Sequence, residues 1–292
     1  MSNATTADWI AGARPRTLPA AIAPVLAGTG VAAYVDSMVG WKALLALVVS
    51  LALQVAVNYA NDYSDGIRGT DADRVGPMRL VGSGRATPAA VKRAAFLAFG
   101  VAAVAGLALA LTTSWWLVLV GVVCIVAAWF YTGGKKPYGY LGLGEVMVFV
   151  FFGLVAVIGT TWVQTETWEW PALYAGVGIG ALACAVLVTN NLRDIPTDIE
   201  AGKRTLAVRL GAERTRALYA LLVLASALAV VAVAAATHWG VLLSLVFVLR
   251  MLPALRTIRS GAVGPALIPV LGATGMGQLW WAVLVAATLN AA

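Results

Sequence analysis

A series of apolar runs, most of them long enough to cross a lipid bilayer, constrains this sequence more than any other feature. A helix needs about 20 apolar residues to span the hydrocarbon core. Because backbone polar groups in lipid must be bonded internally, each run is predicted to be helical. Nine spans are predicted, at residues 18–34, 41–60, 94–112, 115–131, 141–162, 171–189, 218–236, 239–255 and 265–289.

The composition supports this interpretation and excludes several classes of function. The chain is 61% hydrophobic and 11% charged, with a mean hydropathy of +0.87, whereas a soluble domain carries about 25% charged residues. The spans and short loops use the whole length, so residues 1–292 are predicted to form a single membrane domain. The two cysteines lie inside apolar runs without metal-type spacing and indicate nothing about redox compartment.

The net charge of +7 reflects membrane topology rather than a nucleic-acid surface. Of the 20 Lys and Arg residues, 18 are assigned to the N-terminal segment or to alternate loops, at 61–93, 132–140, 190–216 and 256–264. Arg250 interrupts the eighth predicted span, and only Lys42 is assigned to the other side. This asymmetry predicts that these loops and the N-terminus are cytoplasmic. An odd number of spans then places the C-terminus outside. Seven tryptophans form a predicted interfacial belt at the external ends: Trp41, Trp115, Trp116, Trp162, Trp168, Trp170 and Trp239.

Two polar patches close the second and sixth apolar runs. Each combines amides with acids at a spacing of three or four residues, which places them on one face of a helix. The members are Asn58, Asn61, Asp62 and Asp65 in the first patch, and Asn190, Asn191, Asp194 and Asp198 in the second. Such acids can simply be solvated helix ends or mark turns. The recurrence of the pattern, with basic residues after each patch, favours a binding site.

The chemistry of the patches favours magnesium. Carboxylate and amide oxygens suit Mg2+, which is commonly shared between a few carboxylates and the phosphates of a substrate. The predicted metal ligands are Asp62, Asp65, Asp71, Asp194 and Asp198. Because one ion needs fewer carboxylates than these five, two ions are predicted. Nearby basic residues could grip a diphosphate or could be positive-inside anchors: Arg68, Arg74, Arg79, Lys135, Arg193, Lys203 and Arg204.

A diphosphate site at the cytoplasmic end of an apolar bundle predicts an amphiphilic substrate, a polyprenyl diphosphate whose tail lies between helices. The predicted fold is therefore an all-α polytopic membrane protein, a bundle of nine transmembrane helices around a central cavity open to the cytoplasmic side.

The motifs Asn61-Asp62-Tyr63-Ser64-Asp65 and Asp194-x-x-x-Asp198 on nine spans resemble the UbiA superfamily of intramembrane aromatic prenyltransferases. Residues 202–207 look like the segment after the family's second aspartate motif, and Tyr131 to Lys135 looks like its Tyr/Lys element. Residues 13–19, 58–65 and 74–79 look most like the branch that uses 1,4-dihydroxy-2-naphthoate. In the wider superfamily the third acid follows the second by four residues, but Asp71 follows Asp65 by six, so Asp73 could replace it as a ligand.

The resemblance implies Mg2+-dependent transfer of a polyprenyl group to an aromatic ring, here dihydroxynaphthoate with loss of CO2, giving demethylmenaquinone. It implies catalytic roles for Asp65, Asp194, Tyr131 and Lys135, with Tyr131 shielding an allylic cation. Substrate contacts are assigned to the amides Asn58, Asn61, Asn190 and Asn191, and Arg14 or Arg16 is assigned to the aromatic carboxylate. It also implies location in a bacterial inner membrane.

Other acceptors and another class of membrane protein also fit these sequence features. Other members of the superfamily use 4-hydroxybenzoate, homogentisate, chlorophyllide or haem as acceptor. A membrane transporter also predicts intramembrane acids and internal repeats, but its site would lie near the bilayer midplane. A weak sequence similarity between the two patches suggests an internal repeat of four-helix units, at about 15–140 and 141–260.

Overall fold

The computed structural model describes residues 4–69 and 78–291, and it is all-helical over these residues. Helix α6 contains a π-helical segment at Phe149–Val155, and short 3-10 turns occur at Pro15–Thr17 and Tyr138–Leu141. The helices are α1 (Thr6–Gly12), α2 (Pro19–Tyr34), α3 (Gly40–Arg68), α4 (Pro88–Thr112), α5 (Leu117–Phe130), α6 (Gly144–Thr165), α7 (Trp170–Glu200), α8 (Leu206–Ala236), α9 (Trp239–Arg259) and α10 (Gly264–Leu289).

The helices have the length and composition of a multi-pass membrane protein. Within the described ranges, α3, α4 and α6 to α10 are long and apolar enough to cross a bilayer, which makes seven candidate spans. An eighth is possible if Thr6–Thr17 and α2, which meet at 49°, form one broken span. Helix α5 has only 14 residues, about 21 Å at 1.5 Å per residue, which is short for a crossing. All nine predicted spans overlap helices, but nine crossings stay a prediction.

The two patch-bearing helices continue further than predicted. Loops were predicted from residues 61 and 190, whereas α3 runs to Arg68 and α7 runs to Glu200. Gly69 then ends α3 in the left-handed conformation, with φ 72°, which glycine adopts without steric cost. Both acidic patches are therefore held on the last turns of long helices rather than on loops.

The end of the bundle opposite the patches carries the predicted aromatic belt. Six of the seven belt tryptophans are exposed, and Trp162 is partly buried. At the same end, the buried ammonium of Lys42 lies 3.1 Å from Glu166. The one cation assigned to the external side therefore has an acidic partner there.

Helix packing leaves a cavity on one side of the bundle. Helix α3 packs along α4, α7 along α8 and α10 along α2, while α6 contacts both α2 and α7. The main apolar core lies among α2 and α7 to α10 around Trp281 and Tyr219. Gly153 of the π segment allows the close contact of α6 with α7, since an added methyl would lie 2.6 Å from the Gly176 carbonyl oxygen and from Gly180 Cα.

Candidate active site

Asn58 of the first patch joins the N-terminal segment to α3. Its amide nitrogen donates to the carbonyl of Ala13 at 2.9 Å and to Thr17 Oγ1 at 3.0 Å, and its oxygen accepts from Gln54 at 3.4 Å. Asn58 also lines the cavity. These hydrogen bonds hold the Asn58 side chain in place in the polar part of the cavity wall.

The next turn of α3 carries Asn61 and Asp62, whose partners differ. Asn61 Oδ1 accepts from Thr132 Oγ1 at 2.7 Å, and Asn61 lines the cavity. The Asp62 carboxylate accepts from the backbone N–H groups of Leu80 at 2.7 Å and Val81 at 3.0 Å. The first side chain therefore faces the cavity region, and the second faces the loop that returns after α3.

Asp65 is the acceptor on which cationic groups converge. Its carboxylate lies 3.5 Å from Arg79 Nη2 and 3.7 Å from Lys203 Nζ, and the hydroxyl of Tyr140 donates to it. The side chain is 4% exposed. Tyr140 also presents its ring to Lys203 Nζ at 4.6 Å and to the Arg68 guanidinium at 5.5 Å. Buried carboxylates are stable only with such partners.

The second patch is organised around Asp194. Arg193 donates to both of its carboxylate oxygens, from Nε at 2.6 Å and from Nη2 at 2.8 Å, and also reaches Asn190 Oδ1 at 2.9 Å. Asn191 turns the other way and donates to Glu145 Oε1 at 2.9 Å. The acid and one amide of the patch are thus held together, while the second amide is tied to the start of α6.

Contacts of the turn after α7 connect the second patch with Asp65 of the first. The N–H of Lys203 donates to the carbonyl of Asp198 at 2.8 Å, and the Thr205 hydroxyl donates to the Asp198 carboxylate at 3.5 Å. The N–H of Arg204 donates to the carbonyl of Tyr140 at 3.0 Å. This turn directs the Lys203 side chain across to Asp65. The segment that follows the second patch therefore contacts Asp65 of the first patch.

Several predicted site residues are not part of this cluster. Lys135, Arg16 and the Arg204 side chain are exposed. Arg14 is half-buried and close enough to Asp62 to interact with it electrostatically. The predicted residues that lie in segment 70–77, outside the described residues, are Asp71, Asp73 and Arg74.

The donor chemistry of the cluster fits a magnesium ion shared with a substrate. Among residues 4–69 and 78–291, no three His, Cys, Asp or Glu side chains come close enough to hold a metal by themselves. Mg2+ usually takes one or two carboxylates and completes its shell with water and phosphate oxygens. The buried carboxylates of Asp65 and Asp194, which lie beside the cations of the two patches, could supply that share.

An apolar cavity of about 310 Å³ begins at this polar cluster. Its lining on α3 extends from Asn61 to Ala46, about 22 Å along the helix axis. At the polar end the rings of Tyr131 and Tyr138 meet edge to face at 5.5 Å. Burial raises the pKa of the Tyr138 phenol, so it stays protonated and donates to the carbonyl of Ala127 at 2.7 Å. The cavity can accept a long apolar chain whose polar end stays at the cluster.

Three residues of the cluster were missed from the sequence: Thr132, Tyr140 and Glu145. Each contacts a patch residue that is distant in the chain. Tyr140 follows the basic pair 135–136 in the same loop as Tyr138, which is a weak signal. The other two carry no local pattern that separates them from ordinary loop or helix-start residues.

Comparison with known proteins decides the family. The family model for the UbiA prenyltransferase family matches residues 21–262. The chain belongs to the UbiA prenyltransferase family. It is 57% identical to the 1,4-dihydroxy-2-naphthoate octaprenyltransferase of Mycobacterium tuberculosis over 98% of each chain. It is 56% identical to the enzyme of the same name from Mycobacterium leprae, over 99% of this chain and 98% of the relative.

Solved structures share the fold of this UbiA family member. The apo structure of a UbiA homolog from Aeropyrum pernix K1 aligns with a TM-score of 0.71 at 13% identity, over 92% of this chain and 96% of that one. A UbiA homolog from Archaeoglobus fulgidus bound to GPP and Mg2+ aligns with a TM-score of 0.66 at 12% identity, over 95% and 99%. The predicted membership of the superfamily is confirmed.

Proposed function

We propose that this UbiA family member transfers a polyprenyl group from a polyprenyl diphosphate to 1,4-dihydroxy-2-naphthoate. The observation that carries the proposal is the buried Asp65 cluster, where Arg79 and Lys203 converge at the polar end of an apolar cavity. The mycobacterial relatives named as naphthoate octaprenyltransferases support this acceptor.

The cationic side chains of the cluster would bind the diphosphate. Lys203 and Arg79 already lie within 4 Å of Asp65, so their orientation is set before the substrate arrives. Arg193 adds a guanidinium beside Asp194. Such preorganised cations stabilise charge that develops on a leaving group without reorganisation during the reaction.

Magnesium is proposed as the cofactor, with two ions as the finer prediction. Asp65, Asp194 and Asp198 would hold it together with the diphosphate oxygens, and it would supply charge neutralisation at the leaving group. A UbiA homolog bound to GPP and Mg2+ shares the fold and supports this proposal. Because Arg193 already engages both oxygens of Asp194, this carboxylate would have to be shared between the guanidinium and the ion.

The cavity would hold the prenyl tail and exclude water from the reacting carbon. Tyr131 lies in its wall at the polar end, where its ring could face an allylic cation. The ring carbon that bears the carboxylate would form the new C–C bond as the allylic C–O bond breaks. Loss of CO2 would return the bonding electrons to the ring, giving demethylmenaquinone in its reduced, quinol form.

Arg14 is the better of the two proposed partners for the acceptor carboxylate. It is half-buried near the first patch, whereas Arg16 is exposed. Lys135 is also exposed, which makes a direct catalytic contact for it the weakest of the proposed roles. The cluster is proposed to face the cytoplasm of a bacterial cell, with the N-terminus on the same side, because the basic residues concentrate there.

The test is a matched product assay on the purified protein. Dihydroxynaphthoate and 4-hydroxybenzoate are offered in parallel with prenyl diphosphates of several lengths, with and without Mg2+, and products are identified by mass. We expect a decarboxylated, prenylated naphthalenediol only with dihydroxynaphthoate and Mg2+. Preferential prenylation of 4-hydroxybenzoate would overturn the acceptor assignment. Flux of an ion or metabolite across vesicles without product would instead support a transporter.

Two single variants test the carboxylates in the same assay. Asp65→Ala and Asp194→Ala are expected to abolish product formation while the protein still inserts and elutes as a folded particle. Retention of activity in both variants would rule out the proposed site.

A further inference from the structure

Asp62 differs from Asp65 in what its carboxylate binds. Asp62 is 1% exposed. Its two carboxylate oxygens accept from consecutive backbone N–H groups, those of Leu80 at 2.7 Å and Val81 at 3.0 Å. Charge-assisted bonds of this kind are stronger than neutral ones. With one amide on each oxygen, this carboxylate is turned toward the loop rather than toward the diphosphate site.

The loop at residues 78–86 is seated on α3 by contacts besides these two bonds. Leu80 is fully buried in a cluster with Tyr59. Val81 lies against Gly66, where an added methyl would come within 2.4 Å of Val81 Cγ1. At the far end of the loop, Arg85 pairs with Asp8 of α1. The backbone around residue 79 is therefore fixed on the end of α3.

Arg79 directly precedes the two residues whose amides are anchored, and its guanidinium lies beside Asp65 in the site. Its side chain is 10% exposed and reaches the Asp65 carboxylate at 3.5 Å. A long, flexible arginine loses considerable entropy when it is ordered, so a fixed backbone lowers the cost of holding its guanidinium there. We propose that Asp62 is a positioning residue that anchors loop 78–86 and so aims Arg79 at the substrate diphosphate, rather than a magnesium ligand. This inference rests on the proposed function.

The first experiment measures the anchor directly. Hydrogen exchange of the backbone amides in 78–86 is followed in the purified full-length protein for the wild type, Asp62→Asn and Gly66→Ala. Both variants are expected to exchange faster in this loop, because one weakens the amide bonds and the other displaces Val81. Gly66→Ala keeps every charged group, so it tests seating of the loop even if Asp62→Asn folds poorly. Gly100→Ala is the control, since a methyl there meets nothing within 4 Å.

The second experiment separates positioning from metal binding. Asp62→Asn is expected to lower kcat/KM for a prenyl diphosphate about 10-fold, and to leave the half-saturating Mg2+ concentration unchanged. Asp65→Asn is expected to raise that concentration. Because Asp62 acts through Arg79, the double variant Asp62→Asn/Arg79→Gln should have nearly the same kcat/KM as Arg79→Gln alone.

Three results would overturn the inference: unchanged loop exchange in Asp62→Asn, a Mg2+ shift like that of Asp65→Asn, or additive effects with Arg79→Gln. Failure of the proposed function is distinguishable from these results. If the wild-type protein transferred no prenyl group, the transferase assignment would fall, and the exchange data would still decide whether Asp62 anchors the loop.

Discussion

Replacement of Lys203 by methionine removes an ammonium that lies after the second patch in the chain and reaches Asp65 of the first patch. The Lys203 side chain is 7% exposed, with its Nζ 3.7 Å from Asp65 and 4.6 Å from the centre of the Tyr140 ring. Methionine keeps the apolar stem, which packs much as lysine does, and removes only the charge. The substitution therefore isolates the electrostatic contribution of this side chain.

The expected effect follows from the contacts that are lost. A hydrogen bond to a charged group contributes about 1.5–3 kcal/mol. Each 1.4 kcal/mol changes a binding or rate constant by about tenfold. If the ammonium binds a diphosphate oxygen, kcat/KM for the prenyl diphosphate should fall by about 10- to 100-fold. Breaking a buried ion pair can cost about 3–5 kcal/mol of stability. Because Arg79 stays near Asp65, the loss of stability here should lie below that range.

The assay is steady-state prenyl transfer by purified protein, with thermal unfolding measured on the same samples. Arg259→Ala, an exposed arginine at the end of α9, is the control and should match the wild type. A fall in kcat/KM of less than about threefold, with the protein folded, would correspond to well under 1 kcal/mol. That result would refute the diphosphate-binding role of Lys203.

Three further variants test other parts of the structure. Tyr140→Phe removes the hydroxyl that donates to Asp65 but keeps the ring beside Lys203, so kcat/KM should fall less than in Tyr140→Leu, and equal losses would contradict the ring contact. Gly153→Ala should destabilise the protein by about 1–3 kcal/mol through overpacking, as measured by thermal unfolding. Gly159→Ala on the same helix should leave stability unchanged, because its methyl meets nothing within 4 Å. Gly121→Leu places a side chain in the cavity wall and should lower kcat/KM for long prenyl diphosphates more than for short ones, and an equal effect on both would argue against a tail in this cavity.

The helices of this protein were predictable because their signal is local. Apolar runs of bilayer length must satisfy their own backbone hydrogen bonds, so all nine predicted spans fall on helices even where length leaves the crossing undecided, as in α5. The shared face of each patch followed from the period of the helix. The helix ends were misplaced, because polar residues were taken to begin loops, whereas α3 continues to Arg68. The internal repeat stays a prediction.

The sequence by itself determined the all-helical membrane fold, the family and the two acidic patches, since each depends on composition, period or a short motif. Only the tertiary structure decided which acid has which partner. Asp62 and Asp65 lie three residues apart and look equivalent in the sequence, yet one binds the amides of a returning loop and the other binds cations from two directions. Those partners are distant in the chain, and helix packing and loop paths, which no local pattern encodes, bring them into contact.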